Sequence, residues 1–186
     1  NFDQCFADCI ALTTIEARLF ANNANINIIR CFYGCIALTT ISTDLFANNT
    51  AIKSFNYCFY DCTALQTIPE GLFANNAEAT SFNYCFANCN GLTAIPGNLF
   101  EKNKAATDFR NCFQSCRALK EIPGGLFTNN TAATNFSYCF YGCTGLQTIP
   151  EGLFAKNAEV VYFNSCFSHC SALKTIPGNL FEKNAK

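Results

Sequence analysis

The sequence predicts an α/β solenoid of seven stacked coils, about 27 residues each, with short parallel strands and short helices. Three observations carry this reading. All fourteen cysteines fall into seven pairs with a spacing of four, and the pairs recur at one interval of 26 residues and five of 27. Phe, Leu and Ile stand at the same phase of every unit, and each unit ends on Leu-Phe with an Asn three residues on. A unit this short cannot bury a core alone and must stack on its neighbours. The chain 1–186 is therefore expected to be one array, with units near 2–27, 28–54, 55–81, 82–108, 109–135, 136–162 and 163–186.

The unit opens on its cysteines. The first column is Cys5, Cys31, Cys58, Cys85, Cys112, Cys139 and Cys166, and the second is Cys9, Cys35, Cys62, Cys89, Cys116, Cys143 and Cys170. Phe6, Phe32, Phe59, Phe86, Phe113, Phe140 and Phe167 stand between them. Phe82, Cys85, Phe86, Cys89 and Leu92 lie at i, i+3, i+4, i+7 and i+10, a helical spacing that predicts a short helix here. A purely helical solenoid is the alternative fold on the same spacing.

Leu12, Leu38, Leu65, Leu92, Leu119, Leu146 and Leu173 come next, followed three residues later by Ile15, Ile41, Ile68, Ile95, Ile122, Ile149 and Ile176. Thr precedes that Ile in five units, which suits a brief strand pairing in parallel along the array. Apolar residues at one phase of a solenoid stack on their own images, and burying each contributes roughly 1.5–3 kcal/mol.

Pro69, Pro96, Pro123, Pro150 and Pro177 follow the Ile in five units, where Glu16 and Ser42 stand in the first two. Proline suits the first turn of a short helix, here Pro-x-x-Leu-Phe, whose Leu-Phe pairs bury one face. Asn23, Asn49, Asn76, Asn103, Asn130, Asn157 and Asn184 close the unit. Asn tolerates the left-handed conformation that ends helices, and its amide can satisfy turn groups or stack as a ladder. The return segment then leads to an aromatic three residues before the next Cys, as in Ala79-Thr80-Ser81-Phe82.

The stretch Phe-Asn-Tyr-Cys-Phe-Tyr-Asp-Cys-Thr-Ala-Leu-Gln-Thr-Ile-Pro, residues 55–69, resembles the BspA-like bacterial leucine-rich repeats and related mycoplasma and Bacteroides surface repeats. The resemblance covers essentially the whole chain. It implies a leucine-rich-repeat-like solenoid on a secreted or cell-surface protein that adheres to host or matrix components, with no catalytic residues to carry over. Three departures stand out. The unit is longer than the family's usual repeat, and Cys replaces its Met or Ala; the Leu-x-Leu of a leucine-rich repeat is also missing, since Glu70 and Gly97 stand two residues after Ile68 and Ile95.

The cysteine columns admit three readings: disulfides, buried thiols or metal. In a regular helix residues four apart are too far apart for a bridge, so disulfides between coils are the easier geometry. A cysteine fraction this high suits an oxidising, extracellular setting, whereas free Cys also serves as a small buried hydrophobe. Paired Cys formally offers zinc ligands, but the flanking Phe and Leu read as core. No haem-attachment motif occurs, and no cofactor is expected.

Lys plus Arg (12) nearly balances Asp plus Glu (13), so no field is available to steer a polyanion or an acidic lipid surface. Neither nucleic acid nor direct membrane insertion is expected of this segment, which has no apolar run of the ~20 residues a spanning helix needs. No signal-peptide pattern opens the chain. His169 is the only histidine, at a variable position beside no fixed acid or nucleophile, and Glu121, Glu151 and Glu159 are scattered without a unique pair. Asn48, Asn129 and Asn135 open glycosylation triplets that an Asn- and Thr-rich chain produces by chance.

The candidate binding face is the column before the Ile: Thr14, Thr40, Thr67, Ala94, Glu121, Thr148 and Thr175, with Thr13, Thr39, Gln66, Thr93, Lys120, Gln147 and Lys174 one residue earlier. A Thr row can also be simple β propensity. Neither end turns polar as a terminal repeat normally does: Phe2, Cys5 and Phe6, and Ile176, Leu180 and Phe181, keep the repeat pattern. The expected function is a non-enzymatic extracellular or cell-surface repeat protein in adhesion or structural assembly. Its partner would be a host or matrix protein, or a second copy stacked end to end into a filament. An enzyme ranks last.

Overall fold

The computed structural model describes residues 1–184, so the last two residues of the seventh unit lie outside the described residues. The chain winds into coils stacked along one axis. Phe6, Phe32, Phe59, Phe86, Phe113, Phe140 and Phe167 form a continuous column, each ring stacked on the next at centroid distances of 5.4–5.8 Å. The Leu-Phe phenylalanines, Phe20 to Phe181, form a second column at 6.0–6.4 Å. The return-segment rings Phe55, Phe82, Phe109, Phe136 and Phe163 form a third, at 5.3–6.0 Å. Rings of different columns meet tilted or edge-on, as Phe82 meets Phe100 at 4.8 Å and 60°, the arrangement the aromatic quadrupole favours over a face-to-face sandwich. Most of these rings are fully buried, so the core is a phenylalanine rod jacketed by Leu, Ile and Cys.

The local structure departs from expectation. Among the described residues no segment is helical, which removes both short helices of each unit and the all-α alternative. In the Cys-Phe segment the reason is a pair of left-handed residues four positions apart in every unit. Gln4, Arg30, Tyr57, Tyr84, Asn111, Tyr138 and Ser165, just before the first Cys, have φ of 52–59°, and Asp8, Gly34, Asp61, Asn88, Ser115, Gly142 and His169, just before the second, have φ of 56–70°. A right-handed helix cannot pass through such residues. The spacing of i, i+3, i+4 and i+7 comes instead from overlapping turns, of which those closed by the two cysteines have φ > 0 at their third residue, the type II pattern.

Full hydrogen bonding sustains these turns. Cys85, Ala87 and Cys89 donate backbone N–H groups three residues back, to Phe82, Tyr84 and Phe86, at 3.1–3.3 Å. Phe82, Tyr84, Phe86 and Asn88 donate to Asp108, Arg110, Cys112 and Gln114 of the following coil at 2.7–3.0 Å. The remaining N–H, of Asn83, goes to Asn56 Oδ1 at 3.0 Å. Every donor from 82 to 89 is therefore paired, as buried backbone requires. On the opposite arc the direction reverses: Gly91 and Thr93 donate to Thr63 and Gln66 of the preceding coil, both at 3.0 Å. Pro-x-x-Leu-Phe likewise folds as turns, with Leu72 N–H to the Pro69 carbonyl (3.4 Å) and Asn76 N–H to Phe73 (3.0 Å).

The expected strands shrink to single parallel bridges. They occur where the sequence placed them, at Thr14 with Thr40, Thr67 with Ala94 and Glu121 with Thr148. A second bridged row runs unbroken through the return segments from Ser54 through Ser81, Asp108 and Asn135 to Tyr162. With a turn on either side, neither row has room to extend.

The asparagine row is a buried ladder. Asn103 Nδ2 donates to the Phe73 carbonyl at 3.1 Å and to the Asn76 carbonyl at 2.8 Å, and Asn49, Asn76, Asn130, Asn157 and Asn184 repeat the pair. One amide thus clamps two carbonyls of the coil before it. Its Oδ1 makes no hydrogen bond with the protein in any of the six. The amide stands there for its two donors.

Candidate functional site

The fourteen cysteines are free thiols, twelve of them buried and two, Cys5 and Cys9 in the first coil, exposed. Thiols of the second column point at the preceding coil: Cys62 Sγ lies 3.3 Å from the Phe32 carbonyl and Cys89 Sγ 3.2 Å from that of Phe59, with Cys35, Cys116, Cys143 and Cys170 alike. These are weak S–H donors that satisfy a second lone pair of a buried carbonyl. Burial pushes the Cys35 and Cys170 thiols up to about 11 and Cys31 up to about 12, and it raises Cys58, Cys85, Cys112 and the other buried members well above the usual thiol value. Thiols are nucleophilic only as thiolates, so these columns are chemically quiet at neutral pH. Iodoacetamide added to the folded, reduced protein should label Cys5 and Cys9 alone, and all fourteen only after denaturation, read by intact mass; prompt labelling of the central coils would contradict the packing. Among the described residues no three His, Cys, Asp or Glu side chains converge in a way that could hold a metal.

The column before the Ile, Thr14, Thr40, Thr67, Ala94, Glu121, Thr148 and Thr175, is exposed along its whole length. Its neighbours one residue earlier are exposed too, but Thr39 and Thr93 spend their hydroxyls on the carbonyls of Thr13 and Gln66, both at 3.2 Å. That row is partly a backbone device.

A different face carries the most distinctive side chains. The left-handed residues before the first Cys, together with the residues two after it, project onto one side of the array. There Tyr57 stacks on Tyr84 at 4.5 Å and Tyr33 on Tyr60 at 4.8 Å, nearly parallel in both cases. The Arg30 guanidinium lies 5.0 Å from the centroid of the Tyr57 ring, a cation–π contact. Asn88 Nδ2 donates to the Tyr60 hydroxyl at 2.9 Å. Farther along, Tyr138 and Tyr141 meet at 5.7 Å, and His169 stands edge-on to Tyr141 at 5.0 Å.

Two open grooves lie along this face. One, of about 440 Å³, is lined by Gln4, Ala7, Asp8, Arg30, Tyr33, Tyr57, Tyr60 and Tyr84. The other, of about 400 Å³, is lined by Tyr84, Arg110, Asn111, Gln114, Ser137, Tyr138 and Tyr141. Tyr84 belongs to both, so they form one strip over six coils. Burial, then neighbouring phenols, raise the Tyr60 and Tyr84 pKa values above the usual tyrosine range, which keeps both hydroxyls protonated as donors. Burial, then Asp8, also raises the Asp61 carboxyl at the edge of this strip. Arg110 is held in place by its own Asp108, with Nη2 2.8 Å from Oδ2 and Nε 3.0 Å from Oδ1.

Sequence reasoning placed the candidate binding face on the Ile side and did not single out the tyrosines. The available signal was the residue before the second Cys: Asp8, Gly34, Asp61, Asn88 and Gly142 are types that tolerate φ > 0. Read as turn markers, they would have replaced the helix by turns and moved the tyrosines onto a shared side.

Comparison with solved structures finds leucine-rich repeat proteins. A leucine-rich repeat protein of T. pallidum superposes with a TM-score of 0.56 at 19% identity, over 92% of this chain and 70% of that one. The Toll–Spatzle complex of Drosophila gives 0.43 at 19% identity, over 84% and 24%, and a leucine-rich repeat protein of Eubacterium ventriosum gives 0.38 at 17%, over 90% and 48%. No curated protein sequence matches the chain. The model of the BspA-type leucine-rich repeat region matches residues 2–123 and 83–183, with six copies of the repeat. Stacked coils, recurrent Phe and Leu columns and this match agree: the chain belongs to the BspA-type leucine-rich repeat family.

Proposed function

We propose that the chain is a non-enzymatic, extracellular or cell-surface interaction scaffold that adheres to a protein partner, a host or matrix protein, through one long face. Proteins of its family are generally surface or adhesion-type repeat proteins, and leucine-rich repeat domains generally mediate contacts between proteins. The observation that carries the reading is the tyrosine strip, where side chains change from coil to coil on a backbone that does not. Tyr and Arg are the side chains over-represented among the few that dominate binding energy at protein interfaces. The exposed column of Thr14, Thr40, Thr67, Ala94, Glu121, Thr148 and Thr175 is the competing face.

Surface plasmon resonance against a panel of purified matrix and cell-surface proteins tests both. Tyr60→Ser with Tyr84→Ser should weaken a bound partner at least tenfold, while Thr67→Lys with Thr148→Lys should leave it nearly unchanged. The reverse pattern would move the site to the Ile side, and a panel with no binder would remove the adhesion reading.

Structural assembly is a second reading, favoured by apolar side chains open at the two outermost layers. Leu19 is 42% exposed at one end, and Ile176 and Phe181 are 68% and 45% exposed at the other. A neighbouring repeat, of a longer chain or of a second copy, would cover them. Sedimentation velocity over a range of concentrations should show growing species if copies stack, and a single monomer boundary if they do not.

A further inference from the structure

We propose that the fifth coil carries a slot for one planar aromatic ring, supplied by an aromatic side chain of a protein partner and clasped between Tyr84 and Tyr138. This rests on the scaffold reading above and names what that face recognises. The column just before the first Cys reads Tyr57, Tyr84, Asn111, Tyr138 along successive coils. Its phenol stack is interrupted once, at Asn111. There the side chain is short, 7% exposed and tied down, with Nδ2 donating to Gln114 Oε1 at 2.6 Å. The space above it is the groove of about 400 Å³ whose walls include Tyr84 on one side and Tyr138 and Tyr141 on the other.

The array itself sets the width of that space. Adjacent tyrosines stack at 4.5 and 4.8 Å, so two coil steps separate Tyr84 from Tyr138 by roughly 9–10 Å, and a ring halfway between lies within the 4.5–7 Å at which aromatic pairs attract. A guest ring would occupy the place a tyrosine holds in the third, fourth and sixth coils. The amides of Asn111 and Gln114 at the floor and the ion-paired Arg110 at the rim fit a ring with a polar edge, such as phenol or indole, better than a purely aliphatic group.

N-acetyltryptophanamide is a suitable probe, because the chain contains no tryptophan and the probe's indole emission is free of background. Titration should give a saturable change in that emission. Asn111→Tyr, which fills the slot with the ring its neighbours carry, should abolish it. Tyr138→Ser, the residue type found at Ser165 in the same column, should weaken it at least tenfold. Both variants use side chains the column already accommodates, and an unchanged thermal transition checks their folding. No saturable response, or equal binding by the wild type and Asn111→Tyr, would overturn the slot. So would saturable binding of a methyl glycoside in place of the amide, which would mark a sugar site. If the slot fails while Tyr60→Ser still weakens a bound protein, the broader scaffold reading stands without it.

Discussion

Raising the pH of the fully reduced protein above 9 should unfold the entire array in one narrow transition. The ordinary thiol value is 9.0, and the twelve buried cysteines have folded values above it, from about 11 at Cys35 and Cys170 upward. The folded state therefore holds its thiol protons where the unfolded state loses them. Stability is fully present below pH 9 and is lost as pH rises towards the folded values. Each such thiol contributes about 1.4 kcal/mol per pH unit, so twelve together reach roughly 16 kcal/mol per unit once the unfolded chain is fully titrating. A domain this size has on the order of 10–25 kcal/mol to lose. Collapse is expected within about two units of pH 9 on that balance. Thiolate absorbance and circular dichroism, followed together, should change at the same pH. Intact structure at pH 11 would mean that the columns are not free thiols.

Asn103→Asp should cost about 3–5 kcal/mol, although it exchanges one amide nitrogen for an oxygen. Asn103 is wholly buried, and its Nδ2 holds the Phe73 and Asn76 carbonyls. A carboxylate offers neither carbonyl a proton and sets a charge against both. Protonation restores at most one bond. The variant's aspartate should accordingly have a raised folded pKa, so its deficit should shrink as pH falls and the group takes up its proton. Asn23→Asp provides the control, since Asn23 is exposed. Denaturant midpoints for the two variants should differ widely; a cost below about 1 kcal/mol at Asn103 would show that the ladder is not needed to hold the coils.

The parts of the fold that were legible are those set by side chains recurring at one phase. The Phe columns, the Leu and Ile layers and the asparagine row are apolar or amide groups that stack on their own images, so period alone identifies them. The path of the backbone between them was not legible in the same way. Phe82, Cys85, Phe86 and Cys89 show the same spacing whether the chain turns right-handed throughout or reverses at Tyr84 and Asn88, because both routes bring every third and fourth residue to one side. Tyr84 is also a poor advertisement for a left-handed conformation, which bulky non-glycine residues seldom adopt. The tyrosine strip was missed for the same reason. Tyr33 and Tyr141 belong to one column and Tyr57 to another, and only the turns set those columns side by side.

The two directions of hydrogen bonding on opposite arcs have an electrostatic consequence. Along the Cys-Phe arc the N–H groups of Phe82, Tyr84, Phe86 and Asn88 point towards the following coil, while those of Gly91, Thr93, Thr107 and Asp108, on the rest of the coil, point towards the preceding one. Peptide dipoles aligned along an axis add up, as they do in a helix. Here the two arcs run antiparallel and largely cancel. Potential at the tips of such a rod does not build up with each repeat added, and neither tip becomes a charged pole that would limit the number of coils or choose the sign of what docks there. Extension is governed by how well the next layer of rings fits.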